Sequence, residues 1–147
     1  MPIALDDVCF NKASIIERCL VRVFEEAQLD PGLSNWTHID ALVMNLERAC
    51  QAAIDLAMHV VSRDRLGMPQ NSAEAFVLLH QNGLLSEATT QHLAAMVGFR
   101  NVAVHAYQSL NMLIVRKIVE KHWHVFVDFA RELGLRVEPS NAREVLP

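Results

Sequence analysis

Residues 35–63 read NWTHIDALVMNLERACQAAIDLAMHVVSR, and in them Ile39, Val43, Leu46, Cys50, Ala53, Ala57 and Val60 recur in alternating steps of four and three. That spacing winds all seven onto one stripe of an α-helix, the pattern of a seam packed along its whole length. A helix from about Asn35 to Arg63 rises roughly 40 Å, so it is expected to span the domain.

Working outward, the preceding segment from about Asp7 to Gln28 carries Ile16, Leu20, Val23 and Ala27 on one stripe and stops at DPGLSN, a strong helix breaker. Downstream, RLGMPQNS interrupts the chain. Asn71 with Glu74 three residues on forms a capping-box-like start for a short helix, Ser72 to Gln81, closed by QNGLL. Ser86 opens a fourth helix with Leu85, Ala88, Ala95, Met96, Phe99, Ala103 and Ala106 expected to face inward. After a break near YQSLN, a fifth runs from about Asn111 to Leu133, striped by Val115, Ile118, His122, Phe126, Phe129 and Leu133, with Gly134 as its C-cap. The expected fold is all-α, an up-and-down bundle of about five helices over residues 1–133. A polar tail, 134–147, is expected to lie at the periphery.

Composition agrees. The 147 residues are 52% hydrophobic and 20% charged, which is globular, and only 5 Gly and 5 Pro are present, which disfavours a turn-rich β fold. A formal charge of -4 argues against coating nucleic acid by bulk electrostatics but leaves room for a local phosphate site. Cys9, Cys19 and Cys50 form no CxxC pair and read as reduced, buried thiols. No signal-peptide pattern opens the chain and no segment has the ~20 apolar residues that span a bilayer, so a cytoplasmic protein without membrane association is expected.

Within the fourth helix, GFRNVAVHAY (98–107) departs from what a bundle needs. It gathers Arg100, Asn101, His105 and Tyr107, the only tyrosine of the chain. Arg and His at that spacing are common by chance; an Asn beside the Arg and a Tyr two after the His make the arrangement specific. Gly98 adds a place where another backbone can approach closely. On a regular helix Asn101 and His105 nearly align, as do Arg100 and Tyr107, whereas Arg100 and His105 stand about 140° apart. One straight helix does not aim both at a single phosphorus atom, so either the helix deforms or two copies meet across a two-fold axis; the second is favoured.

The chemistry suits RNA backbone cleavage. Imidazole takes a proton from a 2′-hydroxyl or gives one to the leaving oxygen, and guanidinium grips the phosphate as charge builds. Asn101 can hold the imidazole or a phosphate oxygen, Tyr107 can orient either partner, and attack by a 2′-hydroxyl needs no metal and no cofactor. His38, His59, His80, His92, His122 and His124 lack metal-pair spacing and read as structural or solvated. Arg116, Lys117 and Lys121 follow the motif and are candidates for guiding RNA, set against a plain solvated face.

RNVAVHAY resembles the R-x4-H-x-Y motif of HepT-like toxins in the HEPN superfamily, and the helix layout around it resembles theirs. The resemblance implies a homodimer with a cleft between protomers and metal-independent endoribonuclease activity on RNA. It also implies a type VII toxin–antitoxin pairing with a minimal nucleotidyltransferase (MNT-type) antitoxin that transfers AMP to the motif tyrosine, here Tyr107. Arg100 and His105 would be the catalytic pair, with Asn101 at the polar position beside the arginine. Two rivals remain: a non-catalytic helical partner of a nucleotidyltransferase, and a structural network that merely pins the fourth helix.

Overall fold

The computed structural model describes residues 3–139, and all regular structure among them is helical. Helix α1 (Asp7–Leu29) begins at Asp6, whose side chain accepts from the Cys9 backbone N–H, and α2 (Trp36–Arg63) begins at Asn35, which caps Thr37 in the same way. Both caps satisfy donors that the first helical turn leaves unpaired. The two run antiparallel: Asp6 at the start of α1 meets His59 and Arg63 at the end of α2, and Lys12 meets Asp55. The tight link between them is held by Asp30, whose carboxylate accepts from the backbone N–H groups of Ser34 and Asn35 at 3.1 and 2.9 Å.

All seven stripe residues of α2 are buried, as are Ile16, Leu20, Val23 and Ala27 of α1. Helix α3 (Ser72–Gln81) starts at the expected cap, with Asn71 accepting from Glu74 N–H at 2.9 Å. Helix α4 (Glu87–His105) lies across α2, where the Cys50 thiol reaches the Met96 carbonyl at 3.8 Å. Its inward face is not quite the expected one. Leu85, Met96, Phe99 and Ala103 are buried and Ala106 half-buried, but Ala88 and Ala95 are exposed. Thr89, Thr90, Leu93 and Val97 are buried in their place. An alanine gains little by burial, while both threonine hydroxyls are satisfied, Thr90 on the Ser86 carbonyl one turn back and Thr89 on Glu132 of the last helix.

The expected fifth helix is divided, giving six helices among the described residues in place of about five. Helix α5 (Met112–Lys117) passes into a π turn, Ile118–His122, and then into α6 (His124–Glu132). The Trp123 N–H reaches back five residues to the Ile118 carbonyl at 2.9 Å. One extra residue in the turn rotates everything after it by about 100° relative to an unbroken helix. His122, expected on the apolar stripe, is therefore exposed, and Trp123 is buried against Phe24 (ring centroids 5.0 Å, interplanar 80°). Val115, Ile118, Phe126, Phe129 and Leu133 are buried as expected. Gly134, at φ 88°, ends α6 in a Schellman turn, with Leu135 N–H on the Ala130 carbonyl and Gly134 N–H on that of Arg131. The tail is not peripheral at its start. Leu135 and Val137 are buried, and the Glu138 N–H donates to Glu17; residues 140–147 lie outside those described.

Candidate active site

Helix α4 stays regular through His105 and stops there. Ala106 leaves the helical region (φ −145°, ψ 51°), and Tyr107–Ser109 forms a single 3₁₀ turn. Arg100, Asn101 and His105 thus keep their helical spacing, but Tyr107 does not share the line of Arg100 as an unbroken helix would require. The kink swings its ring back toward the first turn of α2, beside Trp36 (centroids 6.5 Å), and Tyr107 Oη donates to Asp40 Oδ1 at 2.5 Å. That is the length of a charge-assisted O–H···O⁻ bond.

Arg100 is half-buried, near enough to α2 for its charge to act on Glu47 and Cys50. Its Nη1 meets Asn101 Oδ1 at a long 3.4 Å, a weak neighbour contact that leaves most of the guanidinium unengaged among the described residues. Beneath it on α2 are Glu47 and Cys50. Burial pushes the Glu47 carboxyl above its ordinary value, and the Arg100 charge opposes that rise. Burial pushes the Cys50 thiol up to about 12, so it is protonated and inert. The Tyr107 hydroxyl is raised above its ordinary value, first by burial, then by its bond to Asp40 and the charges of Asp40 and Glu47. Asn101 and His105 face solvent. The site combines an exposed imidazole, a loosely held guanidinium and a phenol fastened to a carboxylate. That set can grip a phosphate and move protons near neutral pH.

Residues 14–133, most of the chain, match the family described as "Ribonuclease HepT-like". The chain belongs to the HepT-like ribonuclease family. Similar proteins include the mRNA nuclease HepT of Shewanella oneidensis, 39% identical over 127 residues, covering 85% of this chain and 95% of the relative. The tRNA nuclease HepT of Aphanizomenon flos-aquae is 30% identical over 91 residues, 62% of each chain. Among solved structures, a toxin–antitoxin complex with AMP-PNP superposes with a TM-score of 0.83 at 36% identity, covering 88% of this chain and 99% of that one. The tri-AMPylated Shewanella oneidensis HEPN toxin in complex with MNT antitoxin gives 0.78 at 36% identity, covering 88% and 96%. This HepT-like chain is a HEPN-type endoribonuclease of the toxin–antitoxin class, as RNVAVHAY implied.

The remaining candidates of the HepT-like chain fall in different places. Arg116 donates to the Pro31 and Gly32 carbonyls at 3.4 and 3.0 Å, so it braces the α1–α2 link, while Lys117 and Lys121 are exposed. Lys121 edges an apolar groove of about 380 Å³ between α4 and α5–α6, whose floor includes Met96, Phe99 and Ile118. Of the other histidines, His38 meets Glu26 at 2.6 Å, His59 meets Asp6 at 2.7 Å and His80 meets the Leu85 carbonyl at 2.8 Å. His92, His122 and His124 are exposed. Spacing missed two features. Asp40, which holds Tyr107, lies 67 residues away in sequence. Asp6, Cys9 and His59 bring their ligand-type atoms within 4.8 Å of one another, but Arg63 enters the same cluster at 3.0 Å from Asp6 and 3.9 Å from Cys9. A resident guanidinium makes that cluster a pin between helices rather than a cation site.

No helix among the described residues is long and apolar enough to cross a membrane.

Proposed function

We propose that this chain is a metal-independent endoribonuclease toxin working as a homodimer in the cytoplasm, with its cleft built from residues of both protomers. His105 is the general acid or base for attack by the 2′-hydroxyl, and Arg100 stabilises the charge that develops on phosphorus. Asn101 orients the pair. Lys117 and Lys121 guide RNA toward the cleft, with Arg116 shaping its edge. The bundle, residues 1–133, carries these roles, and the first residues of the tail serve its core.

The observation that carries the reading is the regularity of α4 through His105. Without a bend, Arg100 and His105 of one chain diverge by about 140°, so a single site needs the second copy. Apolar surface is available for that contact: Val102, Val104, Leu113 and Ile114 are exposed around the motif, Leu113 by 68%. Nothing within 4 Å of Gly98 fills the space a Cβ would take, which leaves its backbone open to a neighbour.

Neutralisation follows from Tyr107. An MNT-type nucleotidyltransferase antitoxin transfers AMP to its hydroxyl, placing an anion and a bulky nucleoside beside the Arg100 guanidinium. RNA is then kept from the cleft. The tri-AMPylated state of the similar toxin supports this reading.

Mixing Arg100→Ala with His105→Ala protein tests the composite cleft. Each variant alone is inactive. If the two side chains of one site come from different protomers, half the dimers are mixed and each has one intact site, so about a quarter of wild-type cleavage returns. No recovery after subunit exchange, shown by native mass spectrometry, places both groups in one chain and sinks the composite site.

A further inference from the structure

We propose that Asp40 is the base that deprotonates Tyr107 when AMP is transferred to it, so that the toxin supplies a catalytic residue for its own silencing. The inference rests on the AMP-acceptor reading of Tyr107 given above.

The geometry already stands in the free chain. Tyr107 Oη donates to Asp40 Oδ1 at 2.5 Å, and Asp40 sits one turn beyond Trp36, against which the Tyr107 ring leans. A phenol in this setting is a poor nucleophile. The charged groups that bear on it are the Asp40 and Glu47 carboxylates on α2; Arg100 and His105 lie on α4, the helix that ends just before it. Arg116 is occupied by the Pro31 and Gly32 carbonyls. Burial and the two carboxylates raise Tyr107 above its ordinary value, so free tyrosinate is scarce at neutral pH. Attack then needs the proton removed as the new bond forms. A carboxylate already accepting that proton does this, as an aspartate does for the hydroxyl substrate of protein kinases.

The step balances. Tyr107 Oη forms a bond to the α-phosphorus of a nucleoside triphosphate held by the antitoxin, and the bond from that phosphorus to the bridging oxygen breaks. Pyrophosphate leaves with the electron pair, and the phenolic proton passes to Asp40 Oδ1 and then to solvent. The product also turns. A phosphodiester on Oη is repelled by the Asp40 and Glu47 carboxylates, which turns the nucleotide away from α2. Asp40 thus serves the transfer and then repels its product.

The test follows addition of the first AMP by intact mass, using full-length protein, ATP with magnesium, and an MNT-type nucleotidyltransferase antitoxin. Asp40→Asn keeps an acceptor oxygen for Tyr107 but no base, and Asp40→Glu keeps the base. We expect Asp40→Asn to slow the first transfer about 100-fold or more at pH 7 with antitoxin binding unchanged, and Asp40→Glu to recover a substantial part. The deficit of Asp40→Asn narrows about tenfold per pH unit above neutrality, because tyrosinate then forms without help. Equal rates for wild type and Asp40→Asn overturn the inference. So does a deficit that ignores pH and is not relieved by Asp40→Glu, which marks Asp40 as a strut. A wild-type chain that acquires no AMP on Tyr107 overturns the acceptor reading instead.

Discussion

Two polar clusters in this molecule use the same residue types and satisfy them to very different degrees. At one end of the α1–α2 pair, Arg63 and His59 converge on Asp6 at 3.0 and 2.7 Å, and Arg63 also grips Asp64 at 2.9 Å. Asp6 caps α1 as well, so each group has a partner and the cluster ties a helix start to a helix end. Toward the other end of α2, Arg100 has only a 3.4 Å contact with its neighbour, and His105 is exposed at the end of α4. Satisfied groups stabilise; groups left wanting are available to a substrate. The difference lies in the carboxylate. Asp6 is shared by Arg63 and His59, whereas Asp40 accepts from Tyr107.

The largest effect should come from the unsatisfied cluster. His105→Ala is expected to lower RNA cleavage by ~10²–10⁴-fold, since a proton-transfer group is lost, with the melting temperature unchanged. Arg100→Ala should do the same by removing charge stabilisation. A variant of His105 that melts several degrees lower would erase the contrast, because the imidazole would then be a strut like His59.

Next is the mirror experiment. Arg63→Ala should leave cleavage per folded molecule unchanged and lower the melting temperature by about 3 °C, the scale of a partly exposed ion pair in a chain of this size. Loss of cleavage without loss of stability would mean that this end of the bundle also touches RNA.

A smaller, pH-dependent effect sharpens the same point. The Cys9 backbone N–H above all, with His59 and Arg63, holds the Asp6 carboxyl well below the usual carboxylate range. A group whose folded value is depressed adds stability that is complete above its unfolded value, about 3.9, and lost as pH falls toward the folded one. Asp6→Asn keeps the cap and removes the charge. The stability gap between wild type and Asp6→Asn should therefore be constant from about pH 7 to 5, begin to close near pH 4 and shrink steadily toward pH 2, followed by urea denaturation. A gap undiminished between pH 5 and pH 2 would refute the assignment.

How much of this was legible depended on whether the controlling interaction was local. The α2 stripe, the Asn71 cap, the Gly134 turn and the Arg100–His105 spacing are written within a few residues, and each stands where its pattern put it. Three features depend on partners far away in sequence. The π turn exists because Trp123 packs on Phe24 of α1, which no periodicity in 111–133 announces, so the stripe drawn through His122 was a residue out of step. Ala88 and Ala95 looked apolar enough to face inward, but burying Thr89 relied on Glu132, 43 residues on. Tyr107 was visible as a motif residue, yet its orientation is set by Asp40, an acid on the exposed side of a helix whose apolar seam drew the eye.

The smallest expected effect is the absence of one. All three thiols are buried, and burial pushes each above its ordinary value, Cys50 to about 12. Cys50 is therefore overwhelmingly the thiol at pH 8, and reaction requires the thiolate as well as access. Cys9 is the informative case. It belongs to the satisfied cluster, and Arg63 at 3.9 Å is the sort of neighbour that activates a thiol when solvent can enter. Here desolvation outweighs the guanidinium, since Cys9 is 0% exposed. Native protein should resist iodoacetamide at pH 8 at all three positions, and denatured protein should take up three labels. Fast native labelling of Cys9 alone would show that the α1–α2 pin opens readily, and the distinction between a cluster that holds and a cluster that acts would have to be redrawn.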